Sequence, residues 1–166
     1  MCTTTWLLDR KGSFFLFTRD ESHHRSAAEP PAIRQSGDHR YISPRDPDGG
    51  GTWIAVSETG VVLGLLNDYP PGFRQMPRGR SRGLLIPDLL ARLTQWWAEP
   101  VGVDGYQLED QVSALAATSG LQPFQLVVTD PGSPDAWYGV WDGLRLRTRP
   151  GTAPETVAHP AASRGA

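Results

Sequence analysis

Cysteine is almost absent from this sequence, and its other absences narrow the class of protein as well. Cys2 is the only cysteine, which excludes an internal disulfide and a thiol cluster for structural zinc. Apolar runs are short: Asp9, Arg10 and Lys11 interrupt the first, and none approaches the about 18 residues of a membrane helix. We therefore expect a cytoplasmic protein without a signal peptide or a membrane span.

Strong net charge of either sign is also missing. The 166 residues carry a formal net charge of −2 with a pI near 6.1, so we expect no nucleic-acid partner. No dinucleotide, P-loop or haem-attachment motif is present, and we expect no cofactor. About half of the residues are apolar when glycine is counted, which is typical of a globular chain. The length predicts one domain, over residues 1–149.

What the sequence does have is a cysteine directly after the initiator Met1. It begins a strand-like run, Cys2-Thr3-Thr4-Thr5-Trp6-Leu7-Leu8. A short polar loop that contains Gly12 separates this run from a second strand-like run over residues 13–19. Two such runs around a short loop with glycine predict a β-hairpin.

The register of this hairpin decides which residues lie beside the thiol. If Arg10-Lys11 form the tip, Cys2 lies opposite Arg19. A one-residue change in the tip moves the partner to Asp20 or Glu21. In each case the thiol lies beside the Thr-Arg-Asp-Glu segment that ends the second strand.

A cysteine at the amino terminus combines a nucleophile and a base in one residue. Once Met1 is removed, the α-amine, with an ordinary pKa of about 7.7–8.0, can accept the proton of its own thiol. An adjacent arginine favours the thiolate, whose ordinary pKa is about 8.5, and an adjacent carboxylate can orient the amine or the arginine. The alternative is a small buried apolar side chain, the commonest role of an isolated cysteine.

A second hairpin is predicted for residues 52–56 and 61–67. With Glu58-Thr59 at the tip, Asn67 lies opposite Gly50. The Asn67 amide and the glycine-rich main chain could then both donate to a substrate carbonyl, as an oxyanion hole requires. Asn67 could equally end its strand and begin the turn that follows.

The stretch between the two hairpins is polar and rich in proline. Residues 22–51 predict a long loop with at most one short strand, which is either a binding loop or solvated filler. Its plausible anchors in the core are Ile33, Tyr41 and Ile42.

Two helices and three further strands are predicted downstream. Apolar residues at helical spacing predict helices over residues 86–97 and 108–118, with Gly120 ending the second. From Pro150 onward the composition predicts a disordered tail. Apolar runs predict strands over residues 124–129, 137–141 and 144–147.

Two polar clusters are interpreted as solvent-exposed. His23 and His24 are adjacent on an extended segment and point to opposite faces, so they cannot easily share an ion, and we expect no metal site. The arginines between residues 74 and 82 could hold a phosphate or an RNA backbone, but no aromatic platform or phosphate loop accompanies them. We expect an exposed connector there.

Five short motifs in a fixed order resemble one protein family, the NRDE family, which is also called the transport and Golgi organization family. The similarity covers roughly residues 2–149, with Thr18 in place of the asparagine that opens the NRDE motif. The motifs are Met1-Cys2-Thr3, Thr18-Arg19-Asp20-Glu21, Gly50-Gly51-Thr52-Trp53-Ile54-Ala55-Val56, Leu66-Asn67 and Ser81-Arg82-Gly83.

The resemblance implies a fold and a chemistry. The family is related to N-terminal-nucleophile hydrolases, which implies an α+β sandwich of two antiparallel sheets between helices, with Cys2 as nucleophile. In hydrolysis of a C–N amide bond, Arg19 and Asp20 would position the small-molecule substrate and the amine, and Asn67 would hold the oxyanion. The alternative is a non-catalytic binding or trafficking module that holds a hydrophobic or haem-like ligand in the same cleft.

Chains of that family usually continue further, with a segment that completes the second sheet. Here a tail rich in proline and alanine follows, and His159 and Ser163 are the only candidates for a remnant. The resemblance therefore implies a C-terminally shortened fold. This shortening fits three alternatives: a minimal member of the family, a truncated reading frame, or one half of a homodimer.

Overall fold

A computed structural model describes residues 2–9, 12–72, 79–92, 104–151 and 155–158. A short 3-10 turn, Arg82–Leu84, precedes the first helix. In chain order the elements are β1 (Thr3–Asp9), β2 (Gly12–Thr18), β3 (Glu29–Ser36), β4 (His39–Arg45), β5 (Ile54–Ser57), β6 (Val62–Asn67), α1 (Leu85–Arg92), α2 (Gly105–Thr118), β7 (Phe124–Thr129), β8 (Ala136–Trp141), β9 (Leu146–Gly151) and β10 (Glu155–Ala158).

The strands form two antiparallel sheets. The small sheet has the order β10-β1-β2, and the large sheet has the order β3-β4-β5-β6-β7-β8-β9. The small sheet packs on one face of the large sheet, and α1 and α2 pack on its other face. An α+β fold built mostly of antiparallel strands is therefore confirmed.

Aromatic side chains join the two sheets. Alternation along β1 and β2 turns Trp6 and Phe15 to the same face, where their rings stack 6.4 Å apart and Trp6 is fully buried. They pack against Val127 and Tyr138 of the large sheet. Gly64 makes room for this contact, because a Cβ at that position would lie 2.5 Å from the Phe15 ring.

The helices cover the opposite face of the large sheet. The predicted face of α2 is confirmed, since all four of its apolar residues are buried in the main core. Asp104 caps α2 by accepting from the main-chain N–H of Tyr106, and Gly120, at φ +59°, ends it as predicted. The predicted helix over residues 86–97 is confirmed up to Arg92, and residues 93–97 lie outside the described residues.

Helices were predicted on both outer faces of the sandwich. In the described part of the chain, they cover only the outer face of the large sheet. On the outer face of the small sheet, the apolar side chains of Leu7, Phe14 and Leu16 are exposed.

The prediction of a long loop over residues 22–51 is wrong, because β3 and β4 form a hairpin within it. Ser36 pairs with His39 around a two-residue turn in which Gly37 adopts φ +57°. Ile33 and Ile42 are exposed, and of the three predicted anchors only Tyr41 is buried. The strands lack an apolar alternation because most of their side chains face solvent near the edge of the sheet.

The predicted register of the second hairpin is wrong by one residue. Val56 pairs with Val62 and Ile54 with Gly64. The tip has one residue more than predicted, because Gly60 adopts φ +87° and its N–H bonds to the main-chain oxygen of Ser57. Asn67 is therefore not opposite Gly50.

Two predictions near the C-terminus also fail. The last predicted strand, residues 144–147, begins too early, because Asp142 accepts from the main-chain N–H groups of Leu144 and Arg145 and holds them in a loop. The expected tail from Pro150 does not hold either: β9 includes Pro150, and β10 pairs with β1. Residues 159–166, with His159 and Ser163, lie outside the described residues.

Candidate active site

Cys2 lies directly before β1 and beside the end of β2. The two strands pair with Thr3 opposite Thr18, which confirms the predicted register of this hairpin. The half-buried Cys2 thiol donates to the main-chain oxygen of Asp20 across 3.7 Å. The hairpin therefore brings the thiol to the segment that follows β2.

The carboxylate of Asp20 interacts with the amino terminus of the chain rather than with the thiol. A hydrogen bond from the amino terminus, and then the positive charge of that terminus, hold the pKa of Asp20 below its ordinary value. Desolvation opposes this shift, and His23 adds a smaller lowering effect. Asp20 thus presents its main-chain oxygen to Cys2, and its carboxylate is influenced by the amino terminus of the chain before Met1 is removed.

Arg19 is held by one aromatic ring and two carboxylates. Its guanidinium carbon lies 4.5 Å above the centre of the Trp53 ring, a cation–π contact. Its Nη2 atom lies 3.3 Å from Glu21 and 3.6 Å from Asp46. These contacts fix the direction of a long side chain that would otherwise be mobile.

A network of charged residues continues from Arg19 along the rim of the same cavity. Arg25 forms an ion pair with Asp46 and also lies within 3.8 Å of Asp48. Asp48 accepts from the hydroxyl and the main-chain N–H of Ser26, at 2.7 Å and 3.0 Å, and these bonds lower the pKa of Asp48. The network ties the connection after β2 to the connection after β4.

Two glycine-containing motifs cross each other at the floor of the cavity. The N–H of Thr52 donates to the oxygen of Gly83 at 3.0 Å. A Cβ on Gly51 would lie 2.3 Å from the carbonyl carbon of Gly83, so no side chain fits between the two segments. This crossing places Arg82, the residue before Gly83, on the cavity wall.

Asn67 ends β6, where it pairs with Phe124 of β7 rather than with Gly50. Its amide nitrogen donates to the hydroxyl of Tyr69 at 3.3 Å. The main-chain N–H of Gly50, predicted to face the substrate, instead donates to the oxygen of Asp46. An oxyanion hole at this place would therefore rely on the Asn67 amide, and this role remains a prediction.

Arg82 is buried, contrary to the prediction of an exposed connector. Its exposed fraction is 9 %. Its Nη1 donates to the main-chain oxygen of Pro123 at 2.9 Å, and its Nη2 donates to the hydroxyl of Tyr69 at 3.1 Å. Arg80, the other arginine of the predicted connector that the structure describes, is exposed as predicted and forms an ion pair with Asp88.

These elements enclose a cleft of about 490 Å³, a volume suited to a small molecule. Charged and polar side chains and glycine main chain form most of its lining. The lining includes Cys2, Arg19, Glu21, Arg25, Asp46, Asp48, Trp53, Asn67, Arg80, Ser81 and Arg82.

Comparison with known proteins identifies a family at this point. The profile of the Transport and Golgi organisation 2 family matches residues 1–140. The chain belongs to the transport and Golgi organisation 2 family. A comparison with curated proteins found no match. The transport and Golgi organisation 2 match runs from β1 into β8 and includes every residue that lines the cleft.

Three of the four site residues predicted in this transport and Golgi organisation 2 chain line the cleft: Cys2, Arg19 and Asn67. The fourth, Asp20, lies next to Cys2 through its main-chain oxygen. Their roles remain predictions. Sequence reasoning missed Asp46, because nothing in the polar stretch before Gly49 signals that it pairs with Arg19.

Trp53 and Arg82 belong to sequence motifs of the transport and Golgi organisation 2 family, but the sequence alone predicted no role for either. Trp53 stacks under Arg19, and Arg82 lies on the cleft wall. The two glycine-containing motifs were a usable signal of this crossing, because glycine is often required where two main-chain segments approach each other closely.

Other candidate sites carry no comparable geometry. His23 and His24 are exposed. Among the described residues, no group of three or more His, Cys, Asp or Glu side chains is arranged to hold a metal ion. No helix in the described part of the chain has the length and apolar character needed to cross a membrane.

Proposed function

We propose that this protein is an N-terminal-nucleophile hydrolase that cleaves a C–N amide bond, with Cys2 as the nucleophile. The observation that carries the proposal is the position of Cys2, whose thiol lines a cleft together with Arg19 and Asn67. A thiol and an α-amine on one residue supply both the nucleophile and the base. A cleft of this size gives a small-molecule amide room to reach them.

The first half of the reaction forms a thioester. The Cys2 sulfur attacks the amide carbon while the thiol proton passes to the α-amine of the same residue, which removal of Met1 exposes. The carbonyl oxygen becomes an oxyanion, and the Asn67 amide donates a hydrogen bond to it. The intermediate collapses, the C–N bond breaks, and the leaving amine takes the proton back from the α-amine.

The second half restores the enzyme. Water attacks the thioester carbon and transfers a proton to the α-amine, and the oxyanion forms again beside Asn67. Collapse breaks the C–S bond, the sulfur recovers its proton, and a carboxylic acid leaves. The net reaction consumes one water and yields an acid and an amine, with no oxidant or reductant.

The neighbours of Cys2 support these roles. The amino terminus that lowers the pKa of Asp20 is that of Met1, one residue before Cys2, and after removal of Met1 this carboxylate would orient the Cys2 α-amine. Arg19 is fixed by Trp53 and Asp46 with its side chain only 17 % exposed, which suits a group that positions a substrate.

The architecture supports the same relationship. N-terminal-nucleophile hydrolases stack two antiparallel sheets, and here a three-stranded sheet packs on a seven-stranded sheet, with β1 at the centre of the smaller one. The helices on the outer face of the large sheet form one of the two helical layers that such a fold implies.

The lining of the cleft weighs against the alternative of a hydrophobic or haem-like ligand. Four arginines and three acidic side chains line the cleft, while Leu65 and Trp53 are its large apolar residues. Burying a hydrophobic ligand there would desolvate these charges without replacing their hydrogen bonds. A polar amide suits the site better.

Intact-mass measurement and covalent labelling test the proposal. The expressed chain should lack Met1, and an amide-directed electrophile should add one equivalent at Cys2. Cys2→Ser is the matched control, since it keeps a small hydroxyl nucleophile of lower reactivity and removes the only thiol. Labelling of the processed chain no greater than that of Cys2→Ser contradicts catalysis.

A further inference from the structure

The charges that line the cleft are not evenly paired. Three of the four lining arginines lie within 4.0 Å of a carboxylate: Arg19 and Arg25 share Glu21 and Asp46, and Arg80 pairs with Asp88 at 2.7 Å. Arg82 is the exception. It has no carboxylate at ion-pair distance among the residues that the structure describes.

Arg82 is also the most deeply buried of the four, with an exposed fraction of 9 %. Its hydrogen bonds go to neutral oxygens, the main-chain oxygen of Pro123 and the hydroxyl of Tyr69, and its guanidinium carbon lies 5.1 Å from the centre of the Tyr69 ring. A guanidinium has five N–H donors, and these two bonds leave several of them without an acceptor in the described part of the chain. Buried charges are normally paired with an opposite charge, so an arginine on the wall of a cavity that has only neutral partners among the described residues indicates a negative charge supplied by a ligand.

We infer that Arg82 receives a carboxylate of the bound substrate. A carboxylate matches the planar fork of a guanidinium and can accept two parallel N–H bonds from it. This inference rests on the proposed amide hydrolysis for the position of the reacting bond, and it adds the chemical class of the substrate.

The position of Arg82 relative to Asn67 narrows that class. The Asn67 amide nitrogen and the Arg82 Nη2 atom both bond to the hydroxyl of Tyr69, at 3.3 Å and 3.1 Å, so the two donors are close neighbours. With Asn67 on the oxygen of the scissile carbonyl, the carboxylate lies only a few bonds from the amide. An N-acyl amino acid, with the carboxylate on the carbon next to the amide nitrogen, has this short spacing, and its hydrolysis releases the free amino acid.

Binding to the full-length Cys2→Ala chain tests the inference without turnover. The probes are N-benzoylglycine and its primary amide, which differ only in the charge of the group that Arg82 would hold. We expect the acid to bind roughly tenfold more tightly than the amide, by calorimetry or ligand-detected NMR. Arg82→Gln should abolish this preference, Arg82→Lys should retain part of it, and Arg80→Gln should retain it fully because Arg80 is already paired with Asp88.

Several results overturn the inference. Equal binding of the two probes, or no binding of either, contradicts a carboxylate site, and this comparison needs no substitution at the buried Arg82. If Arg82→Gln folds, as judged by circular dichroism, and still prefers the acid, Arg82 is not the receptor. If Arg80→Gln loses the preference as completely, the general positive charge of the cleft accounts for it.

The two proposals fail in distinguishable ways. If the chain prefers the acid but Cys2 is not labelled, the carboxylate site is supported and the hydrolase activity is contradicted. If Cys2 is labelled but the chain binds the acid and the amide equally, the hydrolase activity is supported and the role of Arg82 is contradicted.

Discussion

The main chains of Gly51 and Gly83 are in direct contact, and a Cβ on Gly51 would lie 2.3 Å from the carbonyl carbon of Gly83. The adjacent bond from the Thr52 N–H to the Gly83 oxygen fixes the two segments against each other. One segment leads to Trp53, beneath Arg19, and the other carries Arg82. The crossing therefore fixes the segment that leads to Trp53 against the segment that carries Arg82.

Gly51→Ala should destabilise the protein through this crossing. The added methyl group forces apart two main-chain segments that cannot rotate away, and we expect a loss of about 1–3 kcal/mol in the free energy of unfolding. Denaturant unfolding measures it. Gly105→Ala is the control, because a Cβ there meets only the Trp137 ring, at 3.4 Å, and alanine favours a helix. Equal stability of the two variants contradicts the account.

Replacing Arg19 by lysine should slow acylation of Cys2 although the charge is kept. Lysine cannot stack flat on Trp53 while it also reaches Glu21 and Asp46, so the cation loses its fixed direction. We expect roughly a tenfold loss in the rate, measured with an activated acyl donor. Arg40→Lys, at an exposed ion pair with Glu58, should leave the rate unchanged. A similar loss in both variants argues against a special role for Arg19.

Asn67→Ala should affect only reactions that develop an oxyanion. Removal of the amide donor should lower the rate of Cys2 acylation by about 10²–10³-fold. Alkylation of the same thiol by iodoacetamide forms no oxyanion, so its rate should hardly change, and it serves as an internal control for access to Cys2. If both rates fall together, Asn67 supports the structure of the cleft instead of the chemistry.

The Ser26–Asp48 contact should make stability depend on acid pH. The side-chain hydroxyl and then the main-chain N–H of Ser26 lower the pKa of Asp48 in the folded chain relative to its ordinary value of 3.8. Its contribution to stability is therefore fully present above that value and is lost as pH falls through the lower pKa of the folded state. Comparison of Asp48→Asn with the unchanged chain from pH 7 to pH 2 should show a stability difference that shrinks with acid. A difference that does not change with pH contradicts the assignment.

Local patterns predicted the parts of the fold that depend on near neighbours in the sequence. The first hairpin has a two-residue tip, so its register followed from the positions of the two runs and brought Cys2 to Asp20. The buried face of α2 and its end at Gly120 followed in the same way from local patterns, although the helix begins at Gly105 rather than at the predicted Leu108.

The missed elements depend on pairing between distant parts of the chain. β10 forms only because β1 offers a partner edge, and its four residues carry no strong strand pattern of their own. The hairpin of β3 and β4 was hidden because strands near a sheet edge can be polar, although the Gly37-Asp38 turn was a signal for it.

The site was predictable only in part for the same reason. The neighbours of Cys2 in the first hairpin were within reach of sequence reasoning. The pairing of Asp46 with Arg19 and the burial of Arg82 depend on loops that meet only in the folded chain.

The central claim, that Cys2 is an acylated nucleophile whose base is its own α-amine, is tested most directly by mass spectrometry during a reaction with an activated acyl donor. The chain that begins at Cys2 is compared with one that carries an additional residue before it. The account predicts an acyl group on Cys2 that accumulates and then disappears in the processed chain, and persists or forms slowly in the extended chain. Equal formation and loss of the acyl group in both chains, or no acylation of a Cys2 that iodoacetamide still alkylates, would contradict it.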